Sequence, residues 1–345
     1  MESKTETRTL QTVSLLAIAT VAAAVALVYT RTVMIPFVLA LLLSYLIHPV
    51  VDWAQDRLRL PRWLSILLTL LGVLAFIGGL GVVIATSVAG MSDNAEMYNQ
   101  RLIAMTEELT AWIDRQGIDI GQDDLSGAVK ELPLFDWLRQ TAGGVFYFVA
   151  NFFLVLIFIV YLIARRKPRP GGRAAEMQGK IRSYLMAKIV LSAATGLAVG
   201  LILLVLGVDL ALVFGLLAFL LNFIPNIGSV IATLLPLPVV LMQFDSVLLI
   251  LLAILLPGAV QMTVGNAIEP RMLGKSVDLN PVTVLLALMF WGLIWGVVGM
   301  LLATPLTAVL KIQLHRFEVT RPVARLMGSR DAPDPEPEPE PDPAG

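Results

Sequence analysis

Four ionisable side chains crowd the stretch GNAIEPRMLGKSVDLNP, residues 265–281: Glu269, Arg271, Lys275 and Asp278. A carboxylate two or six residues from a base can form an ion pair, gate a solute or ion, or simply stand in solvent. The LGKS at 273–276 has the ending of a phosphate-binding loop. That loop, however, needs a glycine five residues before Gly274, where Glu269 stands, and a strand before it. Nucleotide binding is excluded on that ground. The chain has no cysteine, and His48 and His315 are its two histidines, so thiolate and multi-imidazole metal sites are excluded too. No pattern implies a cofactor, a nucleic-acid partner or an enzyme.

The setting of these charges is apolar. Of the 345 residues, 57% are hydrophobic and 15% charged, against about 25% charged in soluble domains. Several runs reach the ~20 residues that carry a helix across a bilayer. The sequence therefore predicts an all-α polytopic membrane protein in one transmembrane domain, 1–330, with about eight membrane segments and the lipid bilayer as its first partner. Spans are expected at 13–29, 33–47, 63–88, 144–164 and 185–206. The first has no persuasive cleavage site and is read as a retained span. The basic segments QDRLRLPR (55–62) and 165–184, the latter continuing to Lys188, are expected on the cytoplasmic side. Both termini then lie inside. Residues 91–142, rich in Asp and Glu, form an extracytoplasmic helix-permissive insertion, read as a solvated face. The Pro-acid alternation of 331–345 predicts an extended, disordered tail.

The second half repeats itself. VDLALVFGLLA (208–218) aligns with VDLNPVTVLLA (277–287), and after a two-residue shift GSVIAT (228–233) aligns with GMLLAT (299–304). Each repeat, 208–242 and 277–311, is an apolar run broken in its middle, at IPNIGS (224–229) and at WGLIWGVVG (291–299). Runs of this length suit two short limbs folded into a broken or re-entrant helical hairpin. Counting passes gives the two hairpins opposite senses, an inverted repeat. Kinked helices in a packed bundle are the plainer alternative.

Broken helices in a membrane expose backbone N–H and C=O groups that only protein or a water-filled cavity can satisfy. The hairpin tips are therefore the expected solute path, with Asn222, Pro225, Asn226, Gly228, Glu269 and Arg271 as its candidates. Asp209, Glu269 and Asp278 are candidates for ion coupling. Asp209 and Asp278 also suit N-caps of the hairpin helices, and Glu269 suits a clamp with Arg271 or Lys275. Trp291 and Trp295, at helical spacing, read as packing. The small-residue patterns at 78–81 and 196–200 suit helix association in a homo-oligomer.

IPNIGS, the RSYLMAK start of the fifth span, and NAIEPRMLGKSVDLNPVTVLLALMFWGLIWGVVGMLLATPLTAVLK resemble the autoinducer-2 exporter family of bacterial permeases. The similarity covers nearly the whole chain and is strongest over 180–312; the acidic tail departs from it. The resemblance implies a multi-pass inner-membrane transporter of autoinducer-2 or a sodium/proton antiporter. Export of a small polar organic molecule by alternating access, driven by an ion or solute gradient, is the first reading. Cation/proton antiport is the second, and a membrane scaffold working through the acidic insertion and tail is the third.

Overall fold

The computed structural model describes residues 2–93, isolated helical positions between 100 and 115, 152–164, 173–273, 279–317 and 319–328. Most of the 91–142 insertion, residues 165–172 of the basic segment, Lys275, Asp278 and the 331–345 tail lie outside the described residues. Among those described there are helices and no strands. The chain divides into two compact units, Met1–Leu273 and Gly274–Gly345.

The first unit contains α1 (Glu2–Tyr29), α2 (Arg31–Leu58), α3 (Arg62–Asp93), α4 (Phe152–Ala164), α5 (Arg173–Val205), α6 (Ala211–Leu221), α7 (Ile227–Leu234), α8 (Leu237–Gln243), α9 (Val247–Thr263) and, after a π turn over Val264–Ile268, α10 (Glu269–Leu273). The second contains α11 (Pro281–Arg316) and α12 (Arg321–Leu326). Among the described residues five stretches are long and apolar enough to cross a membrane: Arg31–Leu58, Arg62–Ser87, Gly179–Val205, Val247–Met272 and Pro281–His315. Shorter apolar helices accompany them. The chain is thus an all-α polytopic membrane protein, as its composition requires. Its helices outrun their apolar cores: α5 starts at Arg173, so the described end of the basic segment is helical, because a helix does not stop where the hydrocarbon does.

Among the described residues of the first unit, two apolar clusters hold the helices together. Ala40, Ile47 and Val51 of α2 pack with Ile66 of α3 and with Val155, Ile159 and Ile163 of α4. Arg62 at the start of α3 donates from Nη2 to the Ile163 carbonyl at 2.9 Å, satisfying one of the open carbonyls at the C-terminal end of α4. The second cluster joins α5 to α9 through Val199, Leu203, Phe214, Ala218, Ala232, Val240 and Ala253. Here α5 and α6 touch backbone to backbone. A Cβ on Gly196 would stand 2.6 Å from the Gly215 carbonyl oxygen, and one on Gly215 would stand 2.8 Å from the Gly200 Cα. The 196–200 pattern therefore serves packing within the chain, which corrects its reading as an association surface; the glycines at 78, 79 and 81 have no neighbour within 4 Å of a Cβ position.

The first repeat is broken where Pro225 and Gly228 predict. α6 ends at Leu221, and α7 starts at Ile227. Between them Asn226 adopts φ 59, ψ −53, and the Ile227 N–H donates to the Pro225 carbonyl at 2.7 Å. This is the rare positive-φ γ-turn, strained for any side chain and more tolerable for asparagine than for most. The limbs then close on Gly228, whose Cβ would lie 1.8 Å from the Leu221 carbonyl oxygen. No side chain fits there.

The second unit is a hairpin of the same kind. Asn280 caps α11, its Oδ1 accepting from the Thr283 N–H at 2.7 Å, and its Nδ2 donates to the Leu326 carbonyl at 2.7 Å, tying α12 to the cap. α11 is interrupted at Gly296, with φ 63 and ψ −146, a backbone region essentially reserved for glycine. The limbs face each other across it: Trp291 Nε1 donates to Thr307 Oγ1 at 3.0 Å. A Cβ on Gly299 would stand 1.9 Å from the Trp291 carbonyl oxygen. Trp291 and Trp295 pack ring on ring, centroids 5.2 Å apart, in the packing role expected of them.

Candidate functional site

The long helix α5 turns one face inward: residues 181, 184, 185, 188, 191, 192, 195, 196, 199, 200 and 203 are buried along it. A three-and-four spacing of this kind is the inner stripe of a helix. Within it stand three polar side chains, Lys188, Ser192 and Thr195, the first only 1% exposed. Thr195 bonds back to the Leu191 carbonyl at 2.8 Å and is satisfied by its own helix. Ser192 and Lys188 reach other helices. The Asn222 Nδ2 donates to Ser192 Oγ at 2.9 Å, and Lys188 Nζ donates to Glu269 Oε1 in a salt bridge between α5 and α10.

These contacts lie at the tip of the first hairpin. α5 and α6 run antiparallel, as the approaches of Gly200 to Ala211, Gly196 to Gly215 and Ser192 to Asn222 show. One turn further along the same face, Lys188 stands level with the turn around Pro225. The ion pair thus lies one turn of α5 beyond the residue that Asn222 bonds, near the break between α6 and α7. An ammonium group buried in the interior of an apolar bundle is tolerable only when its charge is met, and Glu269 meets it.

Glu269 reaches this position because of the π turn before it. The buried stripe of α9 runs Ala253, Pro257, Gln261, Val264. Continued as α-helix, at about 3.6 residues per turn, it would next present residue 267 or 268. Instead the Glu269 N–H bonds the Val264 carbonyl, five residues back, and the extra residue brings Glu269 onto the inner stripe. Single π turns of this sort are frequent at functional sites.

The sequence candidates therefore separate. Asn222, Pro225 and Gly228 stand at the hairpin tip, Glu269 joins α5 through Lys188, one turn from the Ser192 that Asn222 bonds, and Asn226 forms its strained turn with its side chain exposed. Arg271 is exposed and is not the partner of Glu269. The described partner of Glu269 is Lys188, a residue first counted among the cytoplasmic charges, in place of the expected Arg271; Lys275, the other expected partner, lies outside the described residues. Asp209 precedes the far end of α6, which rises about 16 Å from Ala211 to Asn222. The N-cap position of α6 is held by Leu210, in the left-handed region, without a side-chain cap bond of its own. The Asp209 N–H donates to Gln243 Oε1 at 2.8 Å, and Gln243 Nε2 donates to the Gly207 carbonyl at 2.7 Å, so Gln243 closes the hairpin mouth. A depression of about 300 Å³ lies there, lined by Thr86, Ser87 and Asp209 among others. Asp278 lies outside the described residues.

Sequence reasoning missed Lys188, Ser192 and Gln261. The signal for the first two was present: a lysine and a serine four residues apart inside the apolar run LMAKIVLSAATG, on one helical face.

A multi-pass helical membrane protein with interrupted helices and a buried charge pair at one break has the architecture of a transporter. Residues 15–318 match the AI-2E family transporter model, and the chain belongs to that family. It is 31% identical over 316 residues to the AI-2 transport protein TqsA of Escherichia coli K12, covering 87% of this chain and 90% of that protein. YhhT of Escherichia coli K12 is 28% identical over 310 residues, with 86% and 88% covered. YrrI of Bacillus subtilis is 28% identical over 314 residues, with 83% and 87% covered. The chain is a membrane transporter and not an enzyme.

Proposed function

We propose that this transporter exports a small polar organic molecule of the autoinducer-2 kind across the bacterial inner membrane, with the tip of the first hairpin as its solute site. The observation that carries this reading is the Lys188–Glu269 pair, its lysine buried and its carboxylate half-buried, one turn of α5 from the Ser192 that Asn222 bonds just before the break. A broken helix supplies backbone donors and acceptors, Asn222 and Asn226 supply amides, and the ion pair supplies two opposite charges that a polar solute can bridge. The pair cancels its own net charge, so the site favours an uncharged solute over a bare ion.

Alternating access follows if the pair ties α10 to α5 in one state and releases it in another. The repeat at 277–311, of opposite sense by the count of passes from the basic segments, acts as its counterpart. Without a nucleotide site, the energy comes from an ion gradient or from the solute's own gradient. Termini inside, residues 91–142 outside and a homo-oligomer, for which 78–81 remains an open small-residue surface, complete the reading.

Flux in liposomes tests it. The purified protein is expected to release loaded autoinducer-2 faster than empty liposomes do, with no sodium flux under an imposed pH gradient. Sodium flux coupled to protons, without autoinducer-2 release, identifies an antiporter instead, with Asp209 and Glu269 as the carboxylates to neutralise. Movement of neither contradicts both solute readings.

A further inference from the structure

Gln261 stands in the last turn of α9, inside the apolar stretch Val247–Met272, with no partner among the described residues. The residue is 4% exposed, and among the described residues neither its Nε2 nor its Oε1 has a hydrogen-bond partner. A buried amide stripped of water and left unpaired is costly, and in a bilayer no solvent is at hand to relieve it. Leucine at this position would pack as well without that cost.

The fold places this amide near the hairpin tip. Three residues, 244–246, join α8 to α9, so α9 returns antiparallel along the hairpin. A Cβ on Gly258 would meet Thr233 Cγ2 of α7 at 3.4 Å. Continuing along α9, Gln261 passes opposite the first turn of α7, and one turn later Val264 leads through the π turn to Glu269. Gln261 thus shares the inner stripe of α9 with the carboxylate that holds Lys188. It lies one turn before the π turn that leads to the charge pair.

Resting on the solute site proposed above, we infer that Gln261 is a solute-contacting residue that selects an uncharged molecule bearing both hydroxyl donors and hydroxyl or carbonyl acceptors. An amide offers two N–H donors and one C=O acceptor with no charge. A vicinal diol or hydroxy-ketone matches both ends at once; an alkali cation matches the oxygen alone and leaves the N–H group facing it. In the closed, packed state both ends are empty, and the solute fills them when the hairpin opens.

The chain has no cysteine, so accessibility can be read without removing any. Gln261→Cys, reconstituted and exposed to a small hydrophilic methanethiosulfonate reagent, is expected to react, and autoinducer-2 is expected to slow the reaction. Ala253→Cys, on the same stripe and fully buried, should stay unreactive, and Asn226→Cys should react. In parallel, Gln261→Leu is expected to raise the KM for autoinducer-2 by roughly tenfold, the worth of about one lost hydrogen bond, with the maximal rate changed less. A Gln261→Cys that stays unreactive beside a reactive Asn226→Cys overturns the inference. So does a folded Gln261→Leu with unchanged KM. If the wild type moves no autoinducer-2, the export reading fails, and the labelling alone still decides whether Gln261 faces an aqueous path.

Discussion

The two hairpins are closed in the same way and tipped differently. In the first, Gly228 lies against the carbonyl of Leu221; in the second, Gly299 lies against that of Trp291. These are the glycines that the repeat aligns. What differs is the chemistry at the bend. The first turns through a strained Asn226 beside Pro225, with Asn222 bonded to Ser192 and a charge pair one turn of α5 further on. The second turns on a single glycine, Gly296, and its limbs are joined by tryptophans and one hydroxyl. Closure is therefore shared architecture, and polarity belongs to one copy. A site that binds a polar solute needs the polar tip, whereas an aromatic tip packs and seals.

The largest expected effect separates the polar tip from the aromatic one. Removing one member of a buried ion pair leaves an uncompensated charge, at a typical cost of about 3 to 5 kcal/mol. Glu269→Gln should lower the thermal stability of the detergent-solubilised protein accordingly. Lys188→Met with Glu269→Gln should restore much of it, since the double variant leaves no charge unpaired. Additive losses in the double variant would mean that the two side chains do not act as a pair.

A smaller effect tests what the hairpins share. Gly228→Ala and Gly299→Ala each place a methyl group where a carbonyl oxygen already stands. Overpacking of this kind typically costs about 1 to 3 kcal/mol. Similar losses in both are expected, measured as midpoint shifts in thermal unfolding, while Gly265→Ala, with open space around its Cβ, should lose nothing, since alanine is the better helix former. Loss at one hairpin alone would dissolve the structural equivalence.

The smallest concerns the seal. Trp291→Phe removes the bond to Thr307 and keeps most of the ring packing, at about 1 kcal/mol. A loss of several kcal/mol would show that the second tip depends on polar contacts as much as the first.

The contrast between the tips also marks what the sequence makes legible. Pro225, Gly228 and the glycines of WGLIWGVVG reveal both breaks, because chain geometry at proline and glycine is local. Glu269 was conspicuous as a carboxylate ending an apolar run. Its partner was not, since Lys188 is 81 residues away and follows a run of basic residues that face water. The π turn that aims Glu269 has no residue signature in VGNAI. Gln261 was hidden for another reason: one amide in a long apolar helix becomes informative only when its missing partners can be counted.

The most direct measurement is autoinducer-2 efflux from liposomes carrying Asn222→Leu, set beside Trp291→Phe at equal reconstitution. Leucine keeps the bulk of Asn222 and removes the amide bonded to Ser192 at the polar tip. The predicted result is a KM raised roughly tenfold or a flux lost for Asn222→Leu, with Trp291→Phe close to wild type. Wild-type efflux by Asn222→Leu together with impaired efflux by Trp291→Phe would contradict the account and move the solute site to the second hairpin.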